Sequence, residues 1–388
     1  MLSLLPTQVY NFSKAEAFSG ENWHNPYEEI LDLDQPWQKG NFHAHGKNFA
    51  GLSNGKGSSE EVVSTYLDSL GYDWAAVSNY QKVANIESRK QVIRAYEHGI
   101  GLGKQHQLIL GDQNSNWFDF PFLQFLNQKQ TTVDYLQNDD NLVVIAHPKL
   151  RGAYSLEDMQ SLRGYDCMEV LNHIGRSRDH WDAALSAGIP AYLISSDDSH
   201  NHHDLGKSGQ NITVFKSRAN TEKDIIAALK RGEAYGIDLK SGSRKVSERR
   251  IEIASLPSLT NMQIVDGEIH IAFDKPFKNI RFIGQGGQLK KEAAESSSAT
   301  YQLQSTDTYI RVVAQFQEPG ADVYLNPVFR YAAQVPLNMV PTVNPRQTRL
   351  YRLSIIYLLL GFILLVWRIE WNWNRKQKPE VGIRWAAT

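Results

Sequence analysis

A single cysteine, Cys167, stands among 388 residues. That excludes an internal disulfide framework and any zinc centre built from several thiolates. Neither sign of charge prevails: 41 Lys and Arg face 42 Asp and Glu, for a formal net charge of -1. The balance argues against nucleic acid as a partner, and none is expected. Long apolar runs are almost missing as well. The exception is residues 353–367, LSIIYLLLGFILLVW, which hold no charge between Arg352 and Arg368. The chain is longer than one ordinary core needs, which predicts several domains.

The apolar run is a little shorter than the ~20 residues that usually cross a bilayer. Tyr351, Trp367, Trp371 and Trp373 can sit at the two interfaces, and the flanking arginines can snorkel. A single transmembrane helix over 350–369 is therefore expected, with a basic tail over 370–388. Arg368, Arg375, Lys376, Lys378 and Arg384 outnumber Arg346, Arg349 and Arg352. That excess places the tail in the cytoplasm and the main domain outside, if an export signal precedes this start. MLSLLPTQVY has no basic leader region, and without such a signal the domain is cytoplasmic.

Histidine is where the sequence is rich. Eight of its 12 residues gather as His43 and His45, then His147, His173 and His180, then His200, His202 and His203. Neutral imidazole is the commonest metal ligand, and the i, i+2 spacing of His43 and His45 puts both rings on one face of an extended segment. Short apolar runs at 41–44, 74–78, 107–110, 142–146, 167–171, 191–195 and 212–215 read as strands. They alternate with amphipathic helices, one capped by Ser58 or Ser59 with Glu60 and Glu61 in its first turn, another opening at Thr221 and stopping at Gly232. That alternation predicts a parallel sheet, closed or open. Chemistry-bearing residues sit at the C-terminal end of one strand after another: His43 and His45, Asn79 and Tyr80, Asp112 and Gln113, His147, Asn172 and His173, Asp198 and His200. In a β/α barrel those ends form one bowl. From about 249 to 331 the period becomes that of strands, as in EIHIAF at 268–273, and a small antiparallel domain is expected there.

NFHAHG at 41–46, the segment 58–80, LILGDQ at 108–113, VVIAHP at 143–148, MEVLNH at 168–173 and SSDDSHNHHDLG at 195–206 occur in the order found in the polymerase and histidinol phosphatase (PHP) superfamily, which this chain resembles over roughly 39–240. The resemblance implies a distorted seven-stranded β/α barrel over 39–242; an N-terminal extension (1–38) precedes it, and the strand-period region, at 245–335, reads as a β-sandwich-like domain. It also implies divalent metal ions (zinc, manganese or iron), and a metal-dependent phosphoesterase. His43, His45, His147, His173, Asp198 and His200 carry over as metal ligands. In the hydrolysis expected here, His200 is the imidazole that protonates the leaving group. The chain departs from the pattern at Asn54, where the family has Asp before Gly55, at Asn79 and Tyr80 in place of Asp-His, and at Gln113 in place of a bridging Glu. One or two ions are therefore expected rather than three, best held by His43, His45 and Asp198. Tyr80, Asp112 and Gln113 are site residues without an assigned role. Lys47, Lys149, Arg151, Arg176 and Arg178 follow the motifs closely and are candidate phosphate contacts. The alternative is a PHP-derived, non-catalytic binding module at the membrane.

Overall fold

The computed structural model describes residues 2–376 except 52, 87, 123, 241 and 337. Lys378 and Arg384 of the expected basic tail lie outside the described residues. The chain divides into two compact units, Phe12–Pro341 and Met1–Asn11 with Thr342–Thr388.

The larger unit begins with strands β1 (Asn22–His24) and β2 (Gln38–Asn41), helix α1 (Ser59–Ser64), and strands β3 (Trp74–Val77), β4 (Val92–His98) and β5 (Gln107–Leu110). Helix α2 (Leu126–Leu136), β6 (Leu142–Ile145), α3 (Leu156–Ser161), β7 (Cys167–Asn172), β8 (Gly175–Arg176), α4 (Arg178–Ser186) and β9 (Tyr192–Ser195) follow. Then come β10 (Asn211–Phe215), α5 (Glu222–Lys230), β11 (Ala234–Leu239), α6 (Val246–Ala254), β12 (Leu259–Val265), β13 (Glu268–Gly284), β14 (Gln288–Gln302), β15 (Tyr309–Phe316) and β16 (Ala321–Tyr331). The helix starts obey local chemistry. The Ser58 hydroxyl accepts from the Glu61 N–H while the Glu61 carboxylate accepts from the Ser58 N–H, and Thr221 caps α5 through the Asp224 N–H.

The result is an α/β fold on a large mixed sheet, ordered β12-β13-β15-β16-β11-β10-β2-β3-β4-β5-β6-β7-β8, with β9 beside β7. The sheet is not closed into the expected seven-stranded barrel. At β9 the backbone bonds that would close it go to side chains: the Ser195 N–H donates to Thr213 Oγ1, whose hydroxyl donates back to the Ser195 carbonyl. The Leu193 N–H donates to Asn326 Oδ1. A side chain spans a gap that a backbone ladder cannot, so the polar groups are satisfied without closure.

Strands expected as a separate antiparallel domain are antiparallel, and they continue the same sheet through the β16–β11 pairing. Position in the sheet explains their patterns. β13 alternates buried and partly exposed residues along most of its length, whereas β15 and β16 are largely apolar on both faces. Tyr309 and Val313 face one core and Ile310 and Val312 the other. Asp182 of α4 ties these strands to the helices. Its carboxylate accepts from Arg311 Nε and Nη2 at 2.7 and 2.6 Å and from the Tyr309 hydroxyl at 2.9 Å.

Asp166, just before β7, accepts the Val143 N–H, and burial pushes its carboxyl up to about 6 despite Lys230 3.9 Å away. A raised acid stabilises the fold fully below its unfolded value near 3.8 and loses that contribution as pH rises through about 6. Asp166→Asn keeps the acceptor and removes the charge. Thermal denaturation should show wild type and variant alike at about pH 4 and the variant a few degrees more stable at about pH 7.5.

In the smaller unit, helix α7 (Pro345–Lys376) follows a short N-terminal segment whose Val9 N–H donates to Thr348 Oγ1. Residues Pro345–Arg375 are long and apolar enough to cross a membrane, with a mean hydropathy of 2.1 over the most apolar 18-residue window and 6% of that window buried.

Candidate metal centre

Five strand ends converge on one buried cluster. The segment after β2 carries His43 and His45 and is held extended by the Ala44–Ser199 bridge and by the His45 N–H donating to the Ser199 carbonyl. His147 follows β6, and Asp198 and His200 follow β9. His147 and Asp198 have φ of 27° and 49°, a region that costs an L-residue strain and is tolerated mostly at functional positions.

The sequence reading missed β4, and with it the central carboxylate. Glu97 lies 3.6 Å from His43 Nε2, 3.2 Å from His45 Nε2, 3.1 Å from His147 Nε2 and 2.5 Å from His106 Nδ1. β5 is antiparallel to both β4 and β6, so its N-terminal end, with His106, reaches the cluster. Its C-terminal end points the other way. Asp112 and Gln113 therefore lie at the opposite end of the strands, where Asp112 accepts from Asn138 and Asn141. This corrects the assignment of Asp112 and Gln113 to the site. The apolar stretch before Glu97-His98 was the available signal, the same strand-end pattern that identified the histidines.

Other expected residues scatter. Tyr80 stacks on His45 at 4.6 Å between ring centroids and its hydroxyl lies 3.4 Å from His200 Nε2. His173 stands outside the cluster, its Nδ1 on the Asp197 carbonyl. Asn79 is structural here, accepting the Gly46 N–H and donating to Ser59. Lys149 and Arg151 line a groove with His147 and Ser177. Lys47 and Arg178 are exposed. Arg176 is engaged by Asp238 at 2.6 and 2.8 Å.

Donor spacing tests whether ions fit. Ligands around a tetrahedral ion ~2.1 Å away lie ~3.4 Å from one another. His43 Nε2 and His45 Nε2 are 3.3 Å apart, and Asp198 Oδ1 is 3.3 and 3.1 Å from them. Glu97 forms a second possible set with the same two rings, His43 and His45. Three further sets could each hold an ion: His43, His147 and Asp198; His45, Asp198 and His200; and Glu97, His106 and His147. Glu97 Oε2, buried and 3.2 Å from His45 Nε2, accepts no well-aligned hydrogen bond among the described residues, and a coordinating cation would satisfy it.

Glu169, also unforeseen, is a lone carboxylate within the continuous apolar run of β7. It accepts from His43 Nδ1 at 3.0 Å and from the His147 N–H at 3.0 Å, so His43 presents Nε2 to the cluster. Burial alone would push the imidazoles down. For His43, His45 and His147 the charges and hydrogen bonds of Asp198, Glu97 and Glu169 outweigh it, and these rings are pushed up. The same pairing holds Asp198 and Glu97 below the usual carboxylate range. His106 and His200 are pushed down by burial, His200 to about 4 with help from His45. The cluster is thus a buried negative well that demands cations, whether protons or metal.

No protein-family profile and no curated protein matches the chain. Among solved structures, a two-domain protein from Bacteroides vulgatus containing a predicted PHP-like metal-dependent phosphoesterase is similar over 86% of this chain and 99% of its own, at 10% identity and a TM-score of 0.41. PsfC from Pseudomonas syringae is similar over 50% of this chain and 89% of its own, at 13% identity and a TM-score of 0.37.

Proposed function

We propose that this chain is a metal-dependent hydrolase acting on a phosphoester. The observation that carries the reading is the convergence of His43, His45 and Asp198 at the spacing of ligands around one ion, with Glu97, His106, His147 and His200 placed to extend it. The motif resemblance to the PHP superfamily supports the substrate class. Bound divalent ions would supply an activated water and a Lewis acid for the ester oxygen.

The chain's own groups divide the remaining work. Glu169 holds the His43 ring and the His147 backbone together. Burial keeps His200 neutral near pH 7, the form in which an imidazole binds an ion, so it is not the imidazolium acid for the leaving group there. Burial and the nearby carboxylates push the Tyr80 phenol well up, so it keeps its proton and can donate a hydrogen bond to a substrate oxygen. Lys149 and Arg151 give the neighbouring groove its positive charge, fit for an anionic ester.

Elemental analysis of the purified full chain, with hydrolysis assays on mono- and diesters, tests the reading. Stoichiometric zinc, manganese or iron is expected, with hydrolysis lost on chelation. Replacing His43 and His45 together by Ala should abolish both without unfolding the protein. Metal retained in full by that double variant would overturn the assignment.

The helix Pro345–Arg375 is proposed as a single membrane span. The full chain should stay with membranes through alkaline carbonate extraction, and release would mark it as a soluble protein's helix.

A further inference from the structure

The hairpin whose two feet carry Glu97 and His106 ends in a loop that leaves Ile100 and Leu102 exposed, Leu102 at 78%. A second loop packs beside it. The Ile100 and Gly101 N–H groups donate to Asp119 Oδ2 at 2.7 and 3.1 Å, and the Leu102 N–H donates to the Pro121 carbonyl. Gln124 closes the second loop onto Asp119 and Phe120. These contacts tie the two loops together, yet the second exposes Phe122 and Phe125, the latter at 72%. Trp117, 57% exposed, stands against Phe49, which follows the His45 segment. Hydrogen bonding thus fixes an apolar lip at the rim of the metal centre with nothing among the described residues covering it, the mark of an interaction surface.

Charge selects the partner. Lys47, Lys104, Lys149 and Arg151 each lie within four residues of a cluster histidine and make no ion pair among the described residues. Lys104 reaches over the Tyr80 ring, its Nζ 5.9 Å from the centroid. Phe, Trp and Leu at loop tips beside unpaired cations match an anionic lipid leaflet, where rings and aliphatic tips enter the acyl boundary while lysines meet headgroups.

We propose that this lip docks on a lipid leaflet, so that the metal centre opens onto the membrane surface. The proposal rests on the metal-centre reading for what the lip surrounds, and the chain's bilayer-length helix makes a membrane its ready partner.

Cys167 is buried, so one introduced thiol can be labelled alone. Leu102→Cys, Phe125→Cys and, at the opposite end of the strands, Asp140→Cys are made in the full chain, labelled with an environment-sensitive fluorophore and placed in nanodiscs of phosphatidylcholine and phosphatidylglycerol. Lipids bearing a nitroxide on the acyl chain should quench the labels at 102 and 125 by about twofold or more and leave the label at 140 unchanged. Quenching at 102 and 125 no greater than at 140 would overturn the proposal. Blue-shifted emission without quenching would also overturn it, in favour of a protein partner. Metal content measured on the same samples tests the hydrolase reading separately, so either idea can fail alone.

Discussion

Glu97→Gln should cost the protein most of its bound metal while leaving it folded. The side chain keeps its shape and loses the one charge that touches His43, His45, His106 and His147 together. Removing one member of a buried charged network costs about 3–5 kcal/mol, which corresponds to a loss of about a hundredfold or more in metal affinity. Metal titration by calorimetry reads this directly, and circular dichroism checks the fold. The matched change Gln113→Glu should do nothing, because residue 113 lies at the other end of the strands. Unchanged affinity in Glu97→Gln would remove the carboxylate from the centre of the site.

Stripping the metal should destabilise the protein, and more so at alkaline pH. In the metal-free cluster His43, His45 and His147 are pushed above 6.5. Their protonated forms stabilise the fold fully below that value and lose the contribution as pH rises through the raised pKa values. Asp198 and Glu97 are pushed down, so their contribution is present above about pH 4 and is lost in acid. Metal-free protein should therefore be most stable between about pH 5 and pH 7. Above that range the carboxylates keep their charge while the imidazoles give up theirs, and only an ion can replace the missing positive charge. A site saturated about a hundredfold above Kd adds about 2.7 kcal/mol, or roughly 5–10 °C in Tm. Thermal scans of chelated and metal-replete protein across pH should diverge upward from about pH 7. Parallel curves would show that the cluster's charge does not depend on an ion.

Much of this protein was legible in the residues because the signals were local. The i, i+2 pair His43 and His45, the caps at Ser58 and Thr221, the strand-end His147, Asp198 and His200, and the apolar helix each follow from spacing, propensity or hydropathy within a few residues. Position in a motif was a poorer guide at Asp112 and Gln113. It assumed that every strand runs the same way, and strand direction is not written in a strand's own residues.

The sequence by itself determined that imidazoles and a carboxylate would meet at strand ends, since alternating strands and amphipathic helices leave few other ways to bury the apolar runs. Tertiary structure alone decided which carboxylate stands at the centre. Antiparallel β5 carries Asp112 away and brings in His106, while β4 delivers Glu97. The same level decided that the sheet stays open at β9, where Thr213 and Asn326 take the backbone bonds, and that β15 and β16 are buried on both faces. Each of these outcomes depends on which strand lies beside which, and pairing is settled by contacts between residues far apart in the chain.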